Sequence, residues 1–395
     1  LIRFGEKLTG PEYAYRYISL VREKKVPFLL GTFLTRVEES DGGYRLILVN
    51  DREGCFTLEA RSIVLATGCR ERTDRQVQLQ GSRPAGVYTA GLAQYFINIQ
   101  GLMPGGRCLI LGSGDIGLIM ARRITLEGSE VLGVHEIKGE PSGLTRNVVQ
   151  CLDDYGIPLT LSSAVTKLHG SGRLTGVAVA RVGADLRPVP GTERDIACDT
   201  LILSVGLIPE NEVARMLDVE IDRVTGGPVV DQRMMTTRKG IFSCGNSLMV
   251  NDLVDYVSEN GEAAGRSAAG WAGRAPEGGS AGPSETTRPE TRRQETTGPE
   301  KSCPAEPAIP VAAGTDVGVV VPQRILRTGG DKVPLYLRSG KRVEKRTLVV
   351  RAGGTVIASR KTTVARPPEM ERIVIDPALI PEGADRIVVS LEEEK

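Results

Sequence analysis

No apolar run in the 395-residue chain approaches the roughly 18 residues of a membrane helix, and no basic, apolar, small-residue leader opens it. A dominant charge sign is missing as well. The 50 basic and 49 acidic residues nearly cancel, which argues against a nucleic-acid or membrane-surface partner. Seven cysteines, at 55, 69, 108, 151, 198, 244 and 303, include no C-x-x-C pair, and with only two histidines there is no metal-ligand spacing. That usage implies a reducing, cytoplasmic setting and no metal site. His135 at a strand end and His169 near a turn read as surface groups, so no Ser-His-Asp or Cys-His arrangement is expected and no catalytic side chain is assigned. The first residue is Leu1 rather than Met, and the chain is expected to be part of something longer.

What is present centres on Cys108–Gly117, Cys-Leu-Ile-Leu-Gly-Ser-Gly-Asp-Ile-Gly, an apolar strand running into a glycine-spaced turn and then a helical stretch at Leu118–Leu126. In that context G-x-G-x-x-G signals dinucleotide binding rather than an ordinary turn. Gly112 permits the tight turn, Gly114 lets backbone approach a pyrophosphate, and Gly117 lets the helix lie close to its strand. Ser113, Asp115 and Ile116 complete the turn, whose helix N-terminus offers N–H groups and a positive dipole end. A second strand at Glu130–Val134 ends at His135-Glu136, placing Glu136 where an acidic residue would hold a ribose 2′-hydroxyl. That favours NAD, with NADP left open by Lys138 two residues on. Glu136 as a solvated carboxylate ending a strand is the plainer alternative.

Composition divides the chain. Residues 1–104 open with Thr9-Gly10-Pro11-Glu12 and a helix over Tyr13–Lys25. Strand-like runs follow at Pro27–Val37, Tyr44–Val49, Cys55–Leu58 and Arg61–Ala66, and a further helix at Tyr88–Ile99. Over residues 105–206 strands and helices alternate, the sign of a largely parallel sheet, and residues 207–273 return to strand, turn and a closing helix at Ser258–Ala272. Residues 274–310 have almost no apolar content and read as a disordered linker. Residues 311–395 carry short β-branched runs between Gly and Pro turns, the pattern of a small β-sandwich.

Three strand ends echo one another: Ile63–Gly68, Leu201–Gly206 and Gly240–Asn246, the first two apolar and closing on a small residue and a glycine. At these positions the chain resembles the flavin- and pyridine-nucleotide-dependent oxidoreductases with two dinucleotide-binding domains, the pyridine nucleotide-disulphide oxidoreductase superfamily that includes thioredoxin and glutathione reductases. Runs at 66–72, 142–147, 204–211 and 252–256 resemble most the subgroup associated with anaerobic glycerol-3-phosphate dehydrogenase. The resemblance covers residues 1–273, and Pro367–Glu371 is similar to that subgroup's C-terminal β domain.

The resemblance implies an α/β fold in which a Rossmann-like NAD domain is inserted in an FAD domain, with a small C-terminal all-β domain. It further implies that the FAD domain is incomplete here, its first βαβ unit missing. Thr67 and Gly68 would lie near the FAD phosphate or adenosine, while Gly245 and Asn246 approach the pyrophosphate and ribityl chain. Gly206 marks the matching end in the NAD domain. Asn246 stands where Asp is usual and keeps the geometry without the charge. The implied function is hydride transfer between NAD(P)H and FAD, then electron transfer to an unidentified small-molecule or protein acceptor. The alternative is an NAD-binding module or accessory subunit without turnover. A third reading has the C-terminal β domain docking a partner subunit. Cys69 and Cys244 read as small buried apolar residues, and Cys303 as an exposed bystander.

Overall fold

The computed structural model describes residues 3–274, 307–327 and 330–393. Most of the expected linker, with Cys303, lies outside the described residues; the strand Ala308–Ala313 begins just before the boundary read from composition. Two compact units result, one of Leu1–Gly68, Pro209–Arg366 and Met370–Lys395, the other of Cys69–Ile208 with Pro367–Glu369.

The Cys69–Ile208 unit is built on a five-stranded sheet in the order Leu159–Thr160, Glu130–His135, Arg107–Leu111, Thr200–Leu203, Val87–Thr89. Every neighbouring pair in it is parallel. The central strands are continuous apolar runs because both faces are covered. Cys108 and Ile110 pack with Leu118, Ala121 and Ile124 of the helix Asp115–Leu126. Leu109 and Leu111 face the other way, against Val165, Val177 and Val179 of a second, four-stranded sheet.

The helix expected from Tyr88 starts later. Val87–Thr89 is an edge strand paired with Leu201–Leu203, and only at Ala90 does the helix Ala90–Tyr95 begin, with Thr89 as its N-cap. Pairing with a neighbouring strand outweighs the local helical pattern there.

In the other unit, Glu12 accepts hydrogen bonds from the N–H and hydroxyl of Thr9, both 2.8 Å, at the start of the helix Gly10–Glu23. A three-stranded antiparallel meander follows: Phe33–Ser40, Gly43–Asn50 and Gly54–Ala60. The first of these was expected from Pro27, but pairing starts only at Phe33, and Phe28 and Leu30 stay exposed. The short strands Ile63–Leu65 and Ile241–Ser243 pair in parallel, and the helix Val254–Ala272 closes the segment.

The C-terminal strands form two sheets of five and three strands over one apolar core that includes Leu335, Leu348, Val350 and Ile387. A further cluster joins Val321, Tyr336 and Met370 to Phe242, Leu248, Ala264 and Ala268, so this sandwich shares a core with the strand and helix that precede it.

Candidate functional site

The expected glycine turn sits at the C-terminal end of the parallel sheet, between the strand Arg107–Leu111 and the helix Asp115–Leu126. Gly112 has φ +94, and a Cβ there would lie 2.1 Å from the Ser204 carbonyl oxygen; a Cβ at Gly117 would meet the Ser204 Cβ at 2.5 Å. Both contacts exist because the loop after Thr200–Leu203 lies against the turn. Neither position tolerates a side chain without movement.

The helix has Gly114 as its N-cap and no side-chain cap. Its first internal bond is Leu118 N–H to the Gly114 carbonyl at 3.1 Å, and Gly117 N–H donates to the Ser204 hydroxyl at 3.1 Å. The Asp115 and Ile116 amides gain no acceptor from within the helix, which is the donor set an anion at a helix N-terminus uses. Two backbone amides at a helix start, without an acceptor from within the helix, fit a dinucleotide pyrophosphate.

Glu136 is buried rather than solvated, with 3% exposure. Its Oε2 accepts from Ser113 N–H at 2.9 Å and the Ser113 hydroxyl at 2.5 Å, and its Oε1 accepts from Lys138 N–H at 3.1 Å. Asp115 Oδ1 accepts from Leu144 N–H at 2.8 Å and from the Asn147 amide at 2.7 Å. The loop from 137 to 144 is thereby held against the glycine turn. Asn147, Ser142 and Ser204 belong to this assembly although no role was assigned to them from sequence. Their only sequence signal was membership of the runs 142–147 and 204–211. Gly206 follows the strand Thr200–Leu203, and its carbonyl accepts from Arg72 N–H at 3.0 Å.

His135, expected at the surface, is buried at 3% exposure and pairs through Nδ1 with the Ser163 hydroxyl at 2.8 Å. Segment 159–163 covers the strand end that the local pattern left open. Burial, helped by the charge of Arg194, pushes its pKa down to about 4.

In the other unit the expected residues divide between two adjoining strand ends. The Leu65 carbonyl accepts from Cys244 N–H at 3.1 Å and from the Ser247 hydroxyl at 3.1 Å, which brings 65–68 beside 244–247. Gly68 and Glu210 are joined by a backbone bond of 2.9 Å, and the Thr67 hydroxyl donates to the Glu210 carbonyl at 2.6 Å. Asn246 Oδ1 accepts from Asn251 N–H at 3.0 Å, ordering the turn after Gly245. Asn211, almost fully buried, donates to the carbonyls of Ser247 at 2.8 Å and Gly226 at 3.0 Å. It ties residues 209–211 to the same turn, a part not foreseen from sequence. Cys244 is buried, which raises its thiol pKa, while Cys69 is only partly buried.

Comparison with known proteins places these features in a wider group. The family model described as pyridine nucleotide-disulphide oxidoreductase matches residues 5–266. The chain is 30% identical over 201 residues to hydrogen cyanide synthase subunit HcnB of Pseudomonas aeruginosa, covering 47% of this chain and 42% of that protein. It is also 30% identical over 236 residues to the ferredoxin–NAD(+) reductase subunit of a benzene 1,2-dioxygenase system from Pseudomonas putida, covering 57% and 50%. It therefore spans about half the length of these curated relatives. Among solved structures, thioredoxin reductase of T. acidophilum shares the fold with a TM-score of 0.54 at 21% identity, over 67% of this chain and 82% of that one.

Proposed function

The chain belongs to the pyridine nucleotide-disulphide oxidoreductase family, and on that premise we propose that it serves NAD(P)H-dependent flavin oxidoreduction, with a small-molecule or protein electron acceptor. The nicotinamide dinucleotide is assigned to the turn Gly112–Gly117, which Glu136 supports through Ser113, and to Gly206, and FAD to Thr67, Gly68, Gly245 and Asn246. The single observation that carries the reading is the glycine turn pressed against Ser204 at the mouth of a five-stranded parallel sheet. When bound, the two cofactors supply hydride transfer and the onward passage of electrons, chemistry that needs no side-chain nucleophile.

The chain's own residues have positional work. The Asp115 and Ile116 amides would donate to the dinucleotide phosphates, and the absence of a side chain at Gly114 leaves room for the Ser204 hydroxyl behind the turn. The strand ends at 65–68 and 244–247, stitched through the Leu65 carbonyl and Ser247, would hold the flavin nucleotide. The runs at 66–72, 142–147, 204–211 and 252–256 support assignment to the subgroup linked to anaerobic glycerol-3-phosphate oxidation. Cys108, Cys151, Cys198 and Cys244 are buried, and a reducing cytoplasm is the setting proposed for the chain. One of the curated relatives is named as a ferredoxin–NAD(+) reductase subunit, which supports a redox protein as the acceptor.

The test is a visible absorption spectrum of the purified chain followed by NADH oxidation with ferricyanide as acceptor. A bound-flavin spectrum with NADH-dependent ferricyanide reduction is expected. NADH binding without flavin or turnover would assign a binding module instead, and absence of both would overturn the reading.

A further inference from the structure

Resting on the dinucleotide reading above, we infer that Glu136 is a positioning residue acting through Ser113 and takes no part in reading the ribose 2′ position. A carboxylate that selects between a ribose hydroxyl and a 2′-phosphate has to present an oxygen to the ligand. Glu136 is 3% exposed, and its oxygens are already engaged by the protein. Oε2 accepts from both Ser113 N–H and the Ser113 hydroxyl, using its two lone-pair directions, and Oε1 accepts from Lys138 N–H.

The partners explain what the arrangement does. Ser113, fully buried, is the second residue of the glycine turn. Its hydroxyl donates to Glu136 and accepts from Ser142 N–H at 2.8 Å. Lys138 and Ser142 flank the loop that leaves the strand Glu130–His135, so Glu136 and Ser113 grip that loop at both ends. Asp115 then holds its exit through Leu144 and Asn147. One buried carboxylate thus sets the shape of the glycine turn and of the loop beside it. Three donors converging on one buried side chain suit it to fixing a backbone that must meet a phosphate with its amides. Residues 137–140 are exposed on that loop, and Lys138 and Glu140 are its charged side chains, so charge facing a 2′-phosphate would come from these two and not from Glu136.

The experiment is titration of the full chain with NADH and with NADPH, followed by nicotinamide fluorescence, for wild type, Glu136→Gln, Glu136→Ala and Ser113→Ala. Thermal melts select variants that remain folded. Glu136→Ala should weaken both dinucleotides by a common factor of about ten, leaving the NADH-to-NADPH ratio within twofold of wild type. Glu136→Gln, which keeps an acceptor for Ser113, should recover most of that loss. Ser113→Ala should weaken both as well, and adding it to Glu136→Ala should cost less than the product of the single effects, since one pathway carries both.

If Glu136→Gln tightens NADPH while weakening NADH, the carboxylate faces the ribose and the inference is overturned. Independent effects of Ser113→Ala and Glu136→Ala would overturn it too, and Ser113→Ala with Glu136→Gln keeps the test decisive if the alanine variant at 136 fails to fold. A wild-type chain that binds neither dinucleotide would instead overturn the reading of the turn itself.

Discussion

His135 shows how one residue's surroundings set a measurable property. Its ring is buried beside Ser163 with a pKa of about 4, against 6.5 for a free side chain. The unfolded chain therefore binds a proton more tightly than the folded one, and the neutral folded form is undisturbed above pH 6.5. As pH falls from 6.5 to about 4, the fold loses stability on the order of 3 kcal/mol from this group. Urea unfolding at pH 7 and pH 4 should show His135→Gln losing less stability than wild type over that interval; equal losses would remove His135 as the source. Sequence reasoning placed this histidine at the surface because a strand end is commonly open. The segment that covers it arrives from residues 159–163, and no local pattern announces that.

At the scale of elements, strand, turn and helix from Arg107 to Leu126 were legible in sequence, because an unbroken apolar run, three spaced glycines and a helical stretch all specify the same local geometry. The spacing of the glycines did not reveal what they make room for. The neighbour is Ser204, some 90 residues away in the chain and brought in by the parallel pairing of Thr200–Leu203 with Cys108–Leu111. Gly117→Val therefore forces its side chain into Ser204 and the Gly112 carbonyl. It should cost about 1–3 kcal/mol in urea unfolding and abolish dinucleotide binding; a variant that binds NADH as well as wild type would show that this contact yields freely. The late start of the helix at Ala90 has the same origin, since Val87–Thr89 are claimed by an edge of that sheet.

For the molecule as a whole, composition separates residues 1–273 from a C-terminal β region, yet packing does not treat that region as an appendage. Val321, Tyr336 and Met370 lie in one cluster with Phe242, Leu248 and Ala264. Gln232 exchanges two bonds with the Leu326 backbone, at 2.8 and 3.0 Å, and Met370 N–H donates to Asp252 at 3.1 Å. Removing residues 275–395 would bare this apolar surface at a cost of several kcal/mol, with about 1.5–3 kcal/mol for each large side chain uncovered. The shortened chain should melt at lower temperature or aggregate; an unchanged melting curve would show the two parts to be independent. The sequence by itself determined the strand–turn–helix with its glycines and the β character of residues 311–395, since these follow from backbone geometry and hydrophobic period over short stretches. Only the tertiary structure decided which oxygen faces each glycine, that Glu136 turns inward to Ser113, that His135 is buried, and that the C-terminal sandwich shares a core with the helix Val254–Ala272. Each of these depends on groups distant in the chain meeting at van der Waals or hydrogen-bond range, and local pattern carries no record of such meetings.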